Sequence, residues 1–212
     1  MHEPSRDNVV IAVPKGRVLE QLGARLENAG IPTDALTASS RKLVREDEEA
    51  KLSWLLLKPD DVPTYVEYGV ADLGIVGRDV LMERNYDVLA PVDLDIGRCR
   101  MMVCGLPKAS LDGKQERPLR VATKFPHIAE QHFRSKGTPV ELIFCQGSVE
   151  LAPLTGLADV IVDLVETGET LRQNGLVTLE KIADISSVVI ANRARLKLRR
   201  ESIEPILDAL RT

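Results

Sequence analysis

Short runs of valine, isoleucine and leucine recur along the chain at intervals that each leave room for one helix. They are VVIAV at 9–13, WLLL at 54–57 and DLGIV at 72–76, then LRVAT at 119–123, VELIF at 140–144 and DVIVDL at 159–164. Runs that do not alternate with polar residues belong to strands buried on both faces, and parallel strands are buried in this way because their helical crossovers cover both sides. Helical patterns fill the gaps. Near 18–29, Leu19, Leu22 and Leu26 share one face, and NAG at 28–30 supplies a glycine stop. Further helices are expected over VPTYVEYG at 62–69, near 126–136 and near 148–156. With 44% apolar residues and only 3% aromatic ones, this β-α-β rhythm predicts an α/β fold rather than a sandwich.

The rhythm runs twice. VLAPVDL at 88–94 and RMMVCGL at 100–106 separate the two series, and the polar SLDGKQERPL at 110–119 reads as a turn or connector. The tail from Ser186 predicts a strand, a polar turn and a last helix with Ile203, Ile206, Leu207 and Leu210 apolar. The expected architecture is therefore two α/β lobes with a ligand cleft between them. Residues 1–95 and about 180–212 form the first lobe, by return of the tail, and residues 96–179 form the second. The charged REDEEAKLSW at 45–54 reads as a loop.

Charge narrows the class of ligand. A net charge of −4 and a pI near 5.5 provide no positive footprint for a nucleic-acid duplex. The basic run RARLKLRR at 193–200 reads as a solvated helix start or a subunit contact. No apolar run approaches a membrane span and the amino terminus has no export signal, so a cytoplasmic protein is expected. Three cysteines without CxxC spacing suggest neither disulfides nor zinc. His127 and His132, five apart, do not share a helix face, and no catalytic histidine or all-protein metal cage is expected.

The most informative stretch is DLVETGET at 163–170, directly after a buried run. In open parallel sheets ligands gather at the carboxyl ends of strands. Gly168 permits a turn whose amides converge on a phosphate, helped by the Thr167 and Thr170 hydroxyls and a helix amino end. Acids beside a phosphate repel it unless Asp163 and Glu166 face neutral hydroxyls, and a ribose 5-phosphate offers both groups. On local chemistry alone a second reading stays open, in which Thr167 caps a helix, Gly168 turns the chain and Glu169 is a first-turn acid.

The wider ELAPLTGLADVIVDLVETGETL at 150–171 resembles the signature of the ATP phosphoribosyltransferases, with Glu150, Gly156, Ala158, Ile161, Asp163, Thr167, Gly168, Thr170 and Leu171 at its spacings. Similarity continues through PKGR at 14–17, SSRKL at 39–43, DVPTYVEYGVADLGIVGRDVL at 61–81, LRVATKFP at 119–126 and NGL at 174–176. The resemblance implies a two-lobed fold like that of the type II periplasmic binding proteins. It also implies transfer of a phosphoribosyl group from phosphoribosyl pyrophosphate to N1 of ATP, in the first step of histidine biosynthesis. Because the chain ends at Thr212, after its last helix, a short form is expected. Such a form resembles catalytic subunits that pair as dimers and join a histidyl-tRNA-synthetase-like regulatory subunit in a hetero-octamer.

The resemblance further implies that Arg17 and Arg41 stabilise the charge of the phosphates and leaving group, a role suited to the planar guanidinium fork. Asp163, Glu166, Thr167, Gly168, Glu169 and Thr170 are the expected contacts of phosphoribosyl pyrophosphate. Lys15, Asp72, Gly74 and Glu150 are candidates for ATP or the cleft wall. Mg2+ is expected to arrive on substrate phosphates and ribose hydroxyls. Two rivals remain at this stage: a ligand-sensing domain of the same fold, and a phosphoribosyltransferase acting on another base.

Overall fold

The computed structural model describes residues 7–111 and 117–211, with the side chain of Arg17 outside the described residues. Residues 112–116 of the expected connector also lie outside them. The chain divides into two units, one of Met1–Leu81, Asn85–Gly97 and Ser186–Thr212, the other of Met82–Arg84 and Arg98–Ile185. The expected second boundary, near 180, falls instead after Ile185, because a long strand occupies the intervening residues.

The first unit begins with β1 (Val9–Pro14), α1 (Arg17–Asn28) and a single turn α2 (Asp34–Thr37), followed by the hairpin β2 (Val44–Asp47) and β3 (Leu52–Leu57). A 3-10 turn, α3 (Val62–Glu67), β4 (Leu73–Gly77), α4 (Arg78–Glu83) and β5 (Val88–Asp93) complete this passage. The charged segment expected as a loop is thus partly strand: β2 is half-buried and pairs antiparallel with β3. Charge along an edge strand is a common protection against further pairing, and it hides the strand from a hydrophobicity reading.

The second unit carries β6 (Cys99–Gly105), β7 (Leu119–Thr123), α5 (Pro126–Ser135) and β8 (Val140–Phe144). It continues with α6 (Leu151–Leu154), β9 (Val160–Val165), α7 (Glu169–Gln173) and β10 (Val177–Ile185). The chain then re-enters the first unit as β11 (Ser187–Asn192), α8 (Arg193–Leu198) and α9 (Arg200–Arg211). Where a polar turn is expected after β11, α8 forms, because Asn192 caps it: its side-chain oxygen accepts from the Arg195 amide at 2.9 Å.

Each unit has its own sheet. The first runs β2-β3-β1-β4-β11-β5 and the second β10-β6-β9-β7-β8. In the first, β1 is parallel to both β3 and β4, and in the second β7 is parallel to both β8 and β9. Both faces of both sheets are covered, as uninterrupted apolar strands require. On one face of the first sheet Val9, Ile11, Val13 and Trp54 meet Leu22 and Leu26 of α1 and Ile203, Leu207 and Leu210 of α9. On the other, Val10, Ala12, Val76 and Ile190 meet Val62 and Val66 of α3. The second sheet packs Val121 and Val162 against Ile128 and Phe133 of α5, and Ile161 and Val165 against Ala152 of α6 and Leu171 of α7. No helix among the described residues is long and apolar enough to cross a membrane.

Candidate functional site

Both units repeat one local topology. The chain leaves the central parallel strand for its neighbour on one side, then crosses to the strand on the other side: β1, β3, β4 in the first unit and β7, β8, β9 in the second. Ligands of such sheets gather at the carboxyl ends of the strands flanking the point where the winding reverses. In the first unit these ends are Pro14–Arg17 and Gly77–Arg78, and in the second they are Thr123–Phe125 and Val165–Gly168.

At the first of these ends the Lys15 amide continues the β1–β3 pairing by donating to the Leu57 carbonyl at 2.9 Å. Gly16 then turns at φ 103°, with open space where a Cβ would stand, so glycine is needed there for its backbone conformation and not for room. No side chain caps the helix that starts at Arg17. Lys15 is exposed.

Arg41 lies near the same edge of the sheet. The Leu56 amide donates to the Leu43 carbonyl at 2.8 Å, and Val44 pairs with Leu55, which brings residues 41–43 beside the carboxyl end of β3. Arg45 shapes this segment from within. Its guanidinium donates to the carbonyls of Ala38 at 2.9 Å, Ser40 at 2.8 Å and Lys42 at 3.3 Å, and also to that of Leu36. One arginine is thus occupied by the loop backbone while Arg41 and Lys42 remain exposed. Sequence reasoning missed Arg45, whose position in a charged run carries no signal of its contacts.

Two first-unit candidates lie elsewhere. Asp72 is 2% exposed and precedes β4, at the amino end of the strands. Its carboxylate accepts from the Val10 amide at 2.9 Å and from the Arg199 guanidinium at 2.7 Å, with Arg195 3.8 Å away. It ties β1 and β4 to the carboxy-terminal helices. Gly74 packs closely under α3: a Cβ there would stand 2.7 Å and 2.8 Å from methyls of Val66 and Val62.

In the second unit Asp163 follows Val162 on β9 and shares a face with Ile161 and Val165, which are buried among Met102, Cys104 and Leu171. Burial pushes its carboxyl up to about 6, with the charge of Glu150 adding to the shift. A hydrogen bond from the Leu164 amide at 2.8 Å and the charge of Lys124 oppose it. Glu150, half-buried at the start of α6, is thus brought to Asp163. The neighbouring Cys104 thiol is pushed up to about 12 by burial and by the Asp163 charge, so it is no nucleophile near neutral pH. All three cysteines are free.

Beyond β9, Gly168 adopts the left-handed conformation at φ 74° and starts α7. Gly168, at the N-cap position, has no side chain to cap the helix, and Thr167 and Thr170 are exposed beside it. The Thr167 hydroxyl accepts from the Glu169 amide at 3.3 Å. Glu166 is exposed beside them. Glu169 differs from its neighbours. It pairs with Arg172 and accepts from Gln173 at 3.0 Å, so in this structure its carboxylate is engaged by its own helix.

Lys124, immediately after β7, is the cation of this cluster and was not singled out by sequence reasoning. Like Lys15 after β1, it is a basic residue at the first position beyond a buried parallel strand. Among the described residues no group of three or more His, Cys, Asp or Glu is arranged to hold a metal ion.

Comparisons with known proteins agree with one another. The family model described as ATP phosphoribosyltransferase (HisG) matches residues 58–212. An ATP phosphoribosyltransferase of Sorangium cellulosum is 51% identical over 203 residues, covering 96% of this chain and 94% of the relative. ATP phosphoribosyltransferase 2 of Geobacter sulfurreducens is 48% identical over 206 residues, covering 96% and 97%. Among solved structures, the ATP phosphoribosyl transferase (HisG:HisZ) complex from Thermotoga maritima is similar with a TM-score of 0.81 and 35% identity, over 95% of this chain and 96% of that one. With strand ends, glycine turns and flanking charges arranged as described, the chain belongs to the ATP phosphoribosyltransferase family.

Proposed function

We propose that the chain transfers the 5-phosphoribosyl group of phosphoribosyl pyrophosphate to N1 of ATP, giving phosphoribosyl-ATP and pyrophosphate, the first step of histidine biosynthesis. Asp163 carries this reading: an ionisable acid on an otherwise apolar strand face, a few residues before a left-handed glycine turn with two exposed threonines. A ribose 5-phosphate satisfies both features. Asp163 and Glu166 accept hydrogen bonds from the ring hydroxyls, with Glu150 alongside, and the α7 amides with the Thr167 and Thr170 hydroxyls take the phosphate.

In the transfer, adenine N1 forms a bond to the anomeric carbon as the carbon–oxygen bond to pyrophosphate breaks and its electron pair leaves with pyrophosphate. The protein aligns the reactants and neutralises the leaving group, roles for which Arg17, Arg41 and Lys15 are suited. Magnesium bound by substrate phosphates and ribose hydroxyls supplies further neutralisation. Its likeness to the HisG:HisZ complex supports action with a regulatory partner; by its family resemblance the chain is proposed to act in the cytoplasm, as a dimer joined to a histidyl-tRNA-synthetase-like regulatory subunit in a hetero-octamer.

The test is formation of phosphoribosyl-ATP by the purified chain, alone and with its regulatory subunit, from ATP, phosphoribosyl pyrophosphate and Mg2+. Turnover is expected, and Thr170→Val is expected to weaken phosphoribosyl pyrophosphate binding about tenfold, as loss of one hydrogen bond to a charged group does, while leaving ATP binding within about twofold. A folded chain inactive in both preparations would refute the reading.

A further inference from the structure

Two helices start at the reversal point of the second unit, α5 after β7 and α7 after β9. With ten residues against five, α5 is the stronger attractor for an anion. Its amino end is already occupied. Pro126 has no N–H to offer and the N-cap, Phe125, has no side-chain oxygen. The next two amides, of His127 and Ile128, donate to the two carboxylate oxygens of Glu83 at 3.0 Å and 3.1 Å. Glu83 comes from the end of α4, more than forty residues earlier, and groups with the second unit.

The other side of the same loop is fixed by Thr123, which is fully buried. Its hydroxyl accepts from the Phe125 amide at 2.8 Å and donates to the Val162 carbonyl at 2.7 Å. Between these anchors stands Lys124. Its ammonium lies 5.8 Å from the centroid of the Phe125 ring and its charge acts on Asp163.

We propose that Glu83 is a positioning residue: its carboxylate occupies the amino end of α5 in place of a phosphate, so that substrate phosphate goes to the Gly168 turn, and it fixes the loop that carries Lys124. This rests on the reading of residues 163–170 as the ribose-phosphate loop. Glu83 touches no substrate. It acts through the α5 amides and through Lys124.

The experiment compares Glu83→Ala, Glu83→Gln and Thr170→Val in the full chain, measuring binding of phosphoribosyl pyrophosphate, ATP and inorganic phosphate separately by calorimetry. Glu83→Ala is expected to weaken phosphoribosyl pyrophosphate about tenfold, leave ATP within about twofold, and bind inorganic phosphate several-fold more tightly through the vacated amides. Glu83→Gln, which keeps one acceptor oxygen, is expected to fall between this variant and the parent, and it carries the test should Glu83→Ala fail to fold. Equal weakening of both substrates, or unchanged binding of phosphoribosyl pyrophosphate and inorganic phosphate, would overturn the proposal. If Thr170→Val weakens phosphoribosyl pyrophosphate and the Glu83 variants do not, this inference alone fails. If none of the three does, the loop reading falls with it.

Discussion

An acid on an apolar strand face carries a cost to the fold that depends on pH. The Asp163 carboxyl titrates near 6 in the native chain against 3.8 ordinarily, so between those values the native state holds a proton that the unfolded chain has released. Its ionised form is therefore destabilising above about pH 6, and the penalty fades as pH falls from 6 towards 4. Asp163→Asn keeps an oxygen for the Leu164 amide and sheds the charge. It is expected to raise stability at pH 8 by about 2–3 kcal/mol, with the gain vanishing near pH 4, as read from urea unfolding at both pH values. The same variant should lose at least about tenfold in kcat/KM for phosphoribosyl pyrophosphate, and it should lack the fall in that parameter below about pH 6 that is expected of the parent. A substitution that left both stability and rate unchanged would contradict the burial and the role together.

Between elements, one glycine sets how closely α3 lies on the first sheet. Gly74→Ala would place a methyl within 3 Å of Val62 and Val66 and within 3.2 Å of Ile190. Separating α3 from β4 to make room is expected to cost about 1–3 kcal/mol, measurable as a lower midpoint in urea. Loss of activity at temperatures where the variant remains folded would instead restore Gly74 to the site. This glycine illustrates what the sequence leaves ambiguous. In ADLGIVG the same letters describe a strand beside a ligand and a strand beneath a helix, and only the methyls of α3 decide between them. The apolar runs that became β1, β4, β7 and β9 were legible because both their faces are buried. β10 was not expected, because VTLEKIADI is a mostly half-exposed edge strand, irregular at two places in its register, with little continuous apolar character. The turn at Gly168 was legible from its composition, whereas Glu83 and Arg45 were not, since each acts on backbone atoms that sequence spacing does not reveal.

At the scale of the whole molecule, distant parts of the chain converge on Asp72. Arg199 donates to that carboxylate and to the carbonyls of Asn8 at 2.8 Å and Asp7 at 2.9 Å, joining the first strand, the fourth and the carboxy-terminal helices. Removing one partner of a buried ion pair leaves the other uncompensated, so Arg199→Ala is expected to destabilise the chain by about 3–4 kcal/mol in urea unfolding. A loss below about 1 kcal/mol would show that Arg195 replaces it. Asp72 was a site candidate through the family resemblance, and the arginine that partners it lies 127 residues away in sequence.

The strand β11 lies inside the first sheet, between β4 and β5, yet it is made after the whole of residues 98–185. On the ribosome, β1 to β5 must wait with an open seam until nearly the entire chain has been synthesised, while the inserted body has all its strands in hand and is free to mature ahead of them. Order of assembly thus runs against order of synthesis, and the interval before β11 emerges is when the nascent first sheet most needs shelter from other chains.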